Sequence, residues 1–145
     1  MSYSIKTRVY QTNTNAYFHI VEKGVWHFAN GGTWSDQDSA LTLTMGGSGT
    51  SGMLRFTTEQ GKEAFWIVLG VHNYKPWVDI VTGLANNSTC VKSLPEYYDS
   101  KFPTRCAARE AQRTSHSALS VDHRTISVEY KVKEGHNLEL NIIIG

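Results

Sequence analysis

The 145-residue chain carries only two cysteines and almost no net charge. It also lacks a long apolar run, and each shortage removes a class of protein. Cys90 and Cys106 have no metal-motif or redox-motif spacing, so the fold must stand on its own core rather than on disulfide or metal staples. A formal net charge of +1 and a sequence pI near 7.8 give no electrostatic reason to bind nucleic acid or an anionic membrane surface. No segment is long and apolar enough to span a bilayer. Met1-Ser2-Tyr3-Ser4-Ile5-Lys6 runs straight into a strand pattern, without the basic, apolar and cleavage regions of a secretory leader, which sets the expectation of a cytoplasmic protein with reduced cysteines. In that setting the overlapping glycosylation sequons of Asn86-Asn87-Ser88-Thr89 read as a polar turn. The length suits a single domain over residues 1–145.

Signatures of reaction chemistry are missing as well. The glycine-rich stretch Gly46 to Gly52 is not a phosphate cradle, because no Lys followed by Ser or Thr closes it and Met53-Leu54-Arg55-Phe56 continues as a strand rather than a helix. Ser48, His72 and Asp79 can be drawn as a hydrolytic triad, yet Gly46-Gly47-Ser48-Gly49 only superficially approaches a nucleophile elbow on a strand-to-helix turn. The histidines form no His-x-x-x-His or Cys-His cluster that would hold a metal. No enzyme activity, metal or cofactor is expected.

What the chain does have is strand alternation. Ile5, Thr7 and Val9 alternate with Lys6, Arg8 and Tyr10, and Leu41-Thr42-Leu43-Thr44-Met45 repeats the pattern before breaking at Gly46-Gly47. A strand resumes around Met53 to Phe56 and turns near Gln60-Gly61. Ala64-Phe65-Trp66-Ile67-Val68-Leu69 is a short apolar run of the kind covered on both faces. Ile126, Val128, Tyr130 and Val132 share one face, and Leu138, Leu140, Ile142 and Ile144 another, around a hairpin turn at Glu134-Gly135-His136-Asn137. The exception is the stretch from about Trp77 to Ser117, where Pro103 can open a helix running through Thr104 to Arg113. Pro95 and Pro103 bound a short loop bearing Tyr97, Tyr98 and Phe102. Trp66 belongs to the core. Trp26, Trp34 and Trp77 stand near Gly or Pro, where an indole packs under a loop or lies against a sugar's apolar face, and taken singly each is more often core.

The most informative residues lie in three blocks: Ala29-Asn30-Gly31-Gly32-Thr33-Trp34, then Leu43-Thr44-Met45-Gly46-Gly47-Ser48-Gly49-Thr50-Ser51-Gly52, then Gly70-Val71-His72-Asn73-Tyr74. Glycine at that density lets backbone groups approach a ligand with no Cβ between, while Ser48, His72 and Asn73 add short donors and acceptors. That equipment suits a neutral polyol.

With Arg8-Val9-Tyr10-Gln11-Thr12, Asp79-Ile80-Val81-Thr82, Glu134-Gly135 and Ile142-Ile143-Ile144-Gly145, these blocks resemble the fungal fruit-body lectin family from about Tyr3 to Gly145. The resemblance implies a mainly β fold like that of actinoporin pore-forming toxins, an antiparallel β-sandwich of two sheets joined by a helix-loop-helix connection. It implies glycan binding without catalysis. One pocket, for galactose and N-acetylgalactosamine and especially the T-antigen disaccharide, would use Ala29, Asn30, Ser48, Gly49, His72 and Asn73. A second pocket, for N-acetylglucosamine, would use Asp79, Ile80, Val81, Thr82, Arg105 and His116. The departures cluster at this second pocket: His116 stands where Tyr is usual, Val78 where Cys is common, and Lys75-Pro76-Trp77 where Lys-Arg-Trp or a similar run is found. The resemblance further implies a homotetramer acting on glycoproteins or glycolipids, with defence against fungivores or storage as its role. A membrane-permeabilising protein of the same fold is the alternative, disfavoured because the N-terminal segment alternates as a strand instead of forming an amphipathic helix.

Overall fold

The computed structural model describes residues 2–13, 15–59, 63–85 and 87–145. The chain order is β1 Tyr3–Gln11, β2 Phe18–Trp26, β3 Gly32–Gln37, β4 Ala40–Met45, β5 Ser51–Thr58, β6 Ala64–His72 and β7 Lys75–Thr82. Then come α1 Cys90–Ser93, a 3-10 turn at Leu94–Tyr98, α2 Pro103–Glu110, β8 Ser115–Leu119, β9 Thr125–Val132 and β10 Asn137–Ile144. A six-stranded sheet has the order β3-β4-β1-β10-β9-β8, and a four-stranded sheet the order β2-β5-β6-β7. Neighbours run antiparallel except β1 with β10, which pair in parallel from Ser4 and Asn137 to Gln11 and Ile144. The two-sheet sandwich expected from the sequence is present, and the segment between β7 and β8 carries the helices.

Two apolar layers hold it together. The first lies between the sheets and takes Ile5, Leu43, Phe56, Phe65, Ile67, Leu69, Ile126, Val128, Leu140 and Ile142. The second lies between the outer face of β5–β7 and the helical segment, and takes Met53, Trp66, Val68, Trp77, Cys90, Leu94, Tyr97 and Ala108. Period-two geometry explains why β6 is apolar throughout: Phe65, Ile67, Leu69 and Val71 serve the first layer while Trp66 and Val68 serve the second. Ala108 is the buried residue of α2. Pro103 opens this helix, where the backbone N–H it lacks would have no intrahelical partner.

The structure corrects several readings. The departure from strand between Trp77 and Ser117 is narrower than expected, because β7 runs to Thr82 and β8 begins at Ser115. Buried on both faces, β7 puts Trp77 into the second layer and Val78 and Ile80 into the first, so no polar alternation marks it. The segment after Pro95 is a 3-10 turn with Tyr97 buried, not a plain loop. Strands β2 and β3 escaped notice, the first because its register shifts between Ile20 and Glu22, the second because it is a largely exposed edge with no apolar alternation. Val132 is exposed instead of sharing the inward face of Ile126, Val128 and Tyr130, since a register shift falls between Glu139 and Leu140 opposite it. The turn placed at Gln60-Gly61, and Asn86 of the polar turn, lie outside the described residues.

Candidate functional site

The connections β2–β3, β4–β5 and β6–β7 converge at one end of the sandwich, and hydrogen bonds bind each to the next. Gly46 N–H donates to Gly31 O at 2.8 Å, and Gly31 N–H to Phe28 O at 2.9 Å. Gly49 N–H donates to Val71 O at 2.8 Å. Ser48 Oγ accepts the Tyr74 N–H at 2.9 Å. Thr50 Oγ1 receives the Phe28 N–H at 3.0 Å and hydrogen-bonds the Phe28 carbonyl as well. At Gly46 an added Cβ would lie 2.6 Å from Asn30 Cβ, and at Gly49, with φ +109, it would lie 2.4 Å from Phe28 Cδ1. Both positions therefore demand glycine. Ala29, Asn30, Asn73 and Tyr74 hold φ of +46, +75, +48 and +66, a left-handed geometry that L-residues sustain only where their surroundings impose it. Ala29, Asn30, Ser48, Gly49, His72 and Asn73 are thus gathered on one linked set of loops. Asn30 and Asn73 are exposed there, each presenting an amide that both donates and accepts.

His72, at the end of β6, is gripped from α2. Arg109 Nη1–H donates to His72 Nδ1 at 3.1 Å, and Gln112 Nε2 donates to the His72 carbonyl. Burial, together with the Arg109 cation, holds His72 below its usual pKa, with Glu110 opposing. The Arg109 guanidinium also covers the Tyr98 ring at 4.8 Å, and Tyr98 stacks on Trp26 at 4.3 Å with 7° between the planes. Tyr98 OH lies 2.7 Å from Ser51 Oγ. These aromatic planes pack beneath the loop end, and Trp34 Nε1–H donates to Gly24 O at 2.9 Å, which fixes a third one.

The second set of expected residues divides. Asp79, buried in β7, accepts the Tyr97 OH at 2.5 Å, and that hydroxyl in turn accepts the Trp66 Nε1–H at 3.0 Å. The other Asp79 oxygen, Oδ1, has Arg113 Nη1 at 3.9 Å and His116 Nε2 at 4.0 Å. Arg105 stacks over Trp66 at 5.3 Å, with its Nε 3.5 Å from Glu96 Oε1. A cleft of about 390 Å³ has Val81, Thr82, Arg105 and Trp66 in its lining, but not Asp79 or His116. Ile80 is a correction: strand alternation turns its side chain, 5% exposed, into the layer between the sheets, so it offers a ligand no side chain. Thr82 uses its hydroxyl to donate to Leu119 O at 2.8 Å.

Two residues central to these networks were not singled out from the sequence. Tyr97 sat in the proline-bounded segment. Arg109 follows Arg105 by four positions on α2, which puts both on one helix face, but nothing in that spacing points to His72. A groove of about 740 Å³ lies elsewhere, between Asn15–Tyr17, Glu63 and Asp122–Arg124, and contains none of the expected residues. Its wall is a buried ion pair, Arg124 Nη2 to Glu63 Oε2 at 3.1 Å, with Ser120 donating to Glu63 at 2.9 Å, a self-satisfied structural contact. Among the described residues no group of His, Cys, Asp and Glu side chains could hold a metal ion, and Cys90 and Cys106 are free.

The fungal fruit body lectin family model matches residues 1–142. Boletus edulis lectin, from Boletus edulis, is 49% identical over 146 residues, covering all of both chains. The X-ray structure of wild-type Xerocomus chrysenteron lectin XCL superposes with a TM-score of 0.94 at 52% identity over the full length of both chains. A mutated form of XCL gives 0.95 at 53% identity, covering 100% of this chain and 99% of that one.

Proposed function

Since the chain belongs to the fungal fruit body lectin family, whose members bind carbohydrate and are not enzymes, we propose that its loop end is the site for galactose and N-acetylgalactosamine, above all for the T-antigen disaccharide. The observation that supports this reading most is the convergence of the three loops on exposed Asn30 and Asn73, with Ser48 and His72 already fixed by hydrogen bonds. A sugar ring that meets such a surface finds donors and acceptors that need little ordering, so the entropy cost of recognition is low. A second site for N-acetylglucosamine lies at Asp79, Val81, Thr82, Arg105 and His116, with Ile80 contributing backbone alone. Weak single-sugar sites act at cell surfaces through multivalency, which raises avidity by roughly 10² to 10⁴ and favours a homotetramer on glycoprotein or glycolipid targets. A cytoplasmic defence protein that meets those glycans once the cell is eaten fits this design. Membrane insertion is disfavoured because β1 is hydrogen-bonded on both sides, to β4 and β10, and would have to leave the middle of a sheet.

Asn73→Ala is the direct test. Calorimetric titration with the T-antigen disaccharide is expected to show binding lost or weakened by about 1–3 kcal/mol, the cost of a buried partner left unpaired. The variant should stay folded, its melting temperature lowered only slightly by Ala at the left-handed φ of +48. Retained affinity would place the site elsewhere, and a glycan array on the wild-type chain beside dye release from liposomes separates sugar binding from permeabilisation.

A further inference from the structure

We propose that Arg109 is a positioning residue that fixes His72 as a neutral ring with its proton on Nε2, so that the loop end presents a permanent uncharged donor to its ligand. This rests on the reading of the loop end as the galactose-type site. A guanidinium carries five N–H donors and no acceptor. His72 Nδ1, 3.1 Å from Arg109 Nη1, therefore presents a lone pair to it, and the single proton of the neutral ring sits on Nε2. Protonating Nδ1 would remove that hydrogen bond and set two cations face to face.

Arg109 is in no position to yield. Its Nε–H donates to Tyr97 O at 2.9 Å, its plane lies over Tyr98, and its side chain is 16% exposed. Glu110, the other charged group acting on His72, has its carboxylate 3.8 Å from Arg109 Nη2 and a side chain 64% exposed, so it is solvated and cannot supply a competing partner for Nδ1. Lys75 and Glu110 line the same groove as His72 and Asn73. Asn73 Nδ2 lies 3.4 Å from Nε2. With a proton on Nε2 both groups are donors that cannot bond each other, so both remain free for a ligand oxygen. The two side chains then offer a sugar two donors of fixed direction, which selects for hydroxyl or acetamide oxygens that accept.

The experiment is nitrogen-15 NMR of the imidazoles in the full chain, for wild type, Arg109→Met and Arg109→Lys, with calorimetry on the T-antigen disaccharide and a thermal melt of each. Wild-type His72 is expected to show the Nε2–H signature and to titrate below the ordinary histidine range. Arg109→Met should mix the two tautomers, move the titration up and weaken disaccharide binding at neutral pH by about fivefold, the worth of about one neutral hydrogen bond. Arg109→Lys, which keeps a charge and a donor, should restore most of the tautomer preference. Wild-type ring signals in a folded Met variant, or an Nδ1–H ring in the wild type, would overturn the proposal, and the second readout stands even if the Met variant does not fold. Altered ring signals with unaltered disaccharide affinity would support Arg109's hold on the ring while overturning the loop end as the sugar site.

Discussion

The loop end and the β7–α2 region are built by opposite means. At the loop end the shape comes from backbone: left-handed residues at Ala29, Asn30, Asn73 and Tyr74, glycines pressed against Asn30 and Phe28, and side chains that mostly face solvent. Around Asp79 the shape comes from side chains, with a carboxylate 6% exposed, a tyrosine fully buried and an indole N–H in one chain of hydrogen bonds. A backbone-built site can lose a ligating side chain and stay folded. A site wired into the core cannot, because the groups that would touch a ligand also satisfy each other.

The largest effect expected from this contrast is in Asp79→Ala. It leaves the fully buried Tyr97 hydroxyl without its acceptor, at a cost of about 3 kcal/mol in stability, the upper end for an unmade buried hydrogen bond. Asn73→Ala, exposed but with φ +48 that Asn tolerates better than Ala, should lose about 1 kcal/mol and stay folded. Denaturant unfolding of both variants is the measurement, and equal losses would erase the distinction between the two regions.

A smaller effect sharpens the backbone side. Gly49→Ala combines φ +109 with a contact 2.4 Å from Phe28 Cδ1, whereas Gly135→Ala has φ +85 and nothing within 4 Å. Strain of a disfavoured dihedral alone is worth of order 1–3 kcal/mol. Gly49→Ala should exceed Gly135→Ala in stability loss and also abolish disaccharide binding, while Gly135→Ala leaves binding intact. Thermal melts paired with titration calorimetry read both, and matching behaviour would mean the Phe28 contact does not shape the site.

Acid separates the loop end from the buried Glu63–Arg124 pair by pH window. His72 has a folded pKa below its usual 6.5, so the unfolded chain takes up the proton first. Its stabilising contribution is complete above that value and is lost as pH falls below it toward the folded pKa. Glu63 also lies below its usual 4.5; burial alone would raise it, but the hydrogen bonds and charge of Arg124, with Ser120, outweigh burial. Its contribution is present above 4.5 and lost as pH falls through the lowered folded value. Melting temperature against pH should therefore fall in two stages, the upper one flattened in His72→Gln and the lower one kept. A single stage unaffected by that substitution would contradict the assignment.

Much of this was legible in the chain. Leu41 to Met45, Ala64 to Leu69 and the last two strands were visible because a sheet facing water on one side, or buried on both, leaves a period-two or continuous apolar imprint. The loop-end residues were legible because glycine and asparagine at tight turns are read directly from their letters. Illegible were β2, whose register shift breaks the alternation, and β7, where Asp79 interrupts an apolar run for reasons visible only once Tyr97 arrives from the 3-10 turn. Arg109 belongs with them, since its worth depends on α2 packing its last turn against His72, a long-range contact that no local pattern encodes.

The smallest expected effect bears on whether the β7–α2 region binds sugar at all. His116 Nε2 stands 4.0 Å from Asp79 Oδ1, the carboxylate oxygen not taken by Tyr97. A sugar hydroxyl donating to that oxygen would share it with the His116 ring, so His116→Ala should change N-acetylglucosamine affinity by a few-fold, about one neutral hydrogen bond, and leave T-antigen affinity unchanged. Calorimetric titrations of wild type and variant with both sugars are sufficient. Unchanged N-acetylglucosamine affinity in His116→Ala would remove His116 from the site, and Asp79 would then be left as a structural carboxylate of the second core.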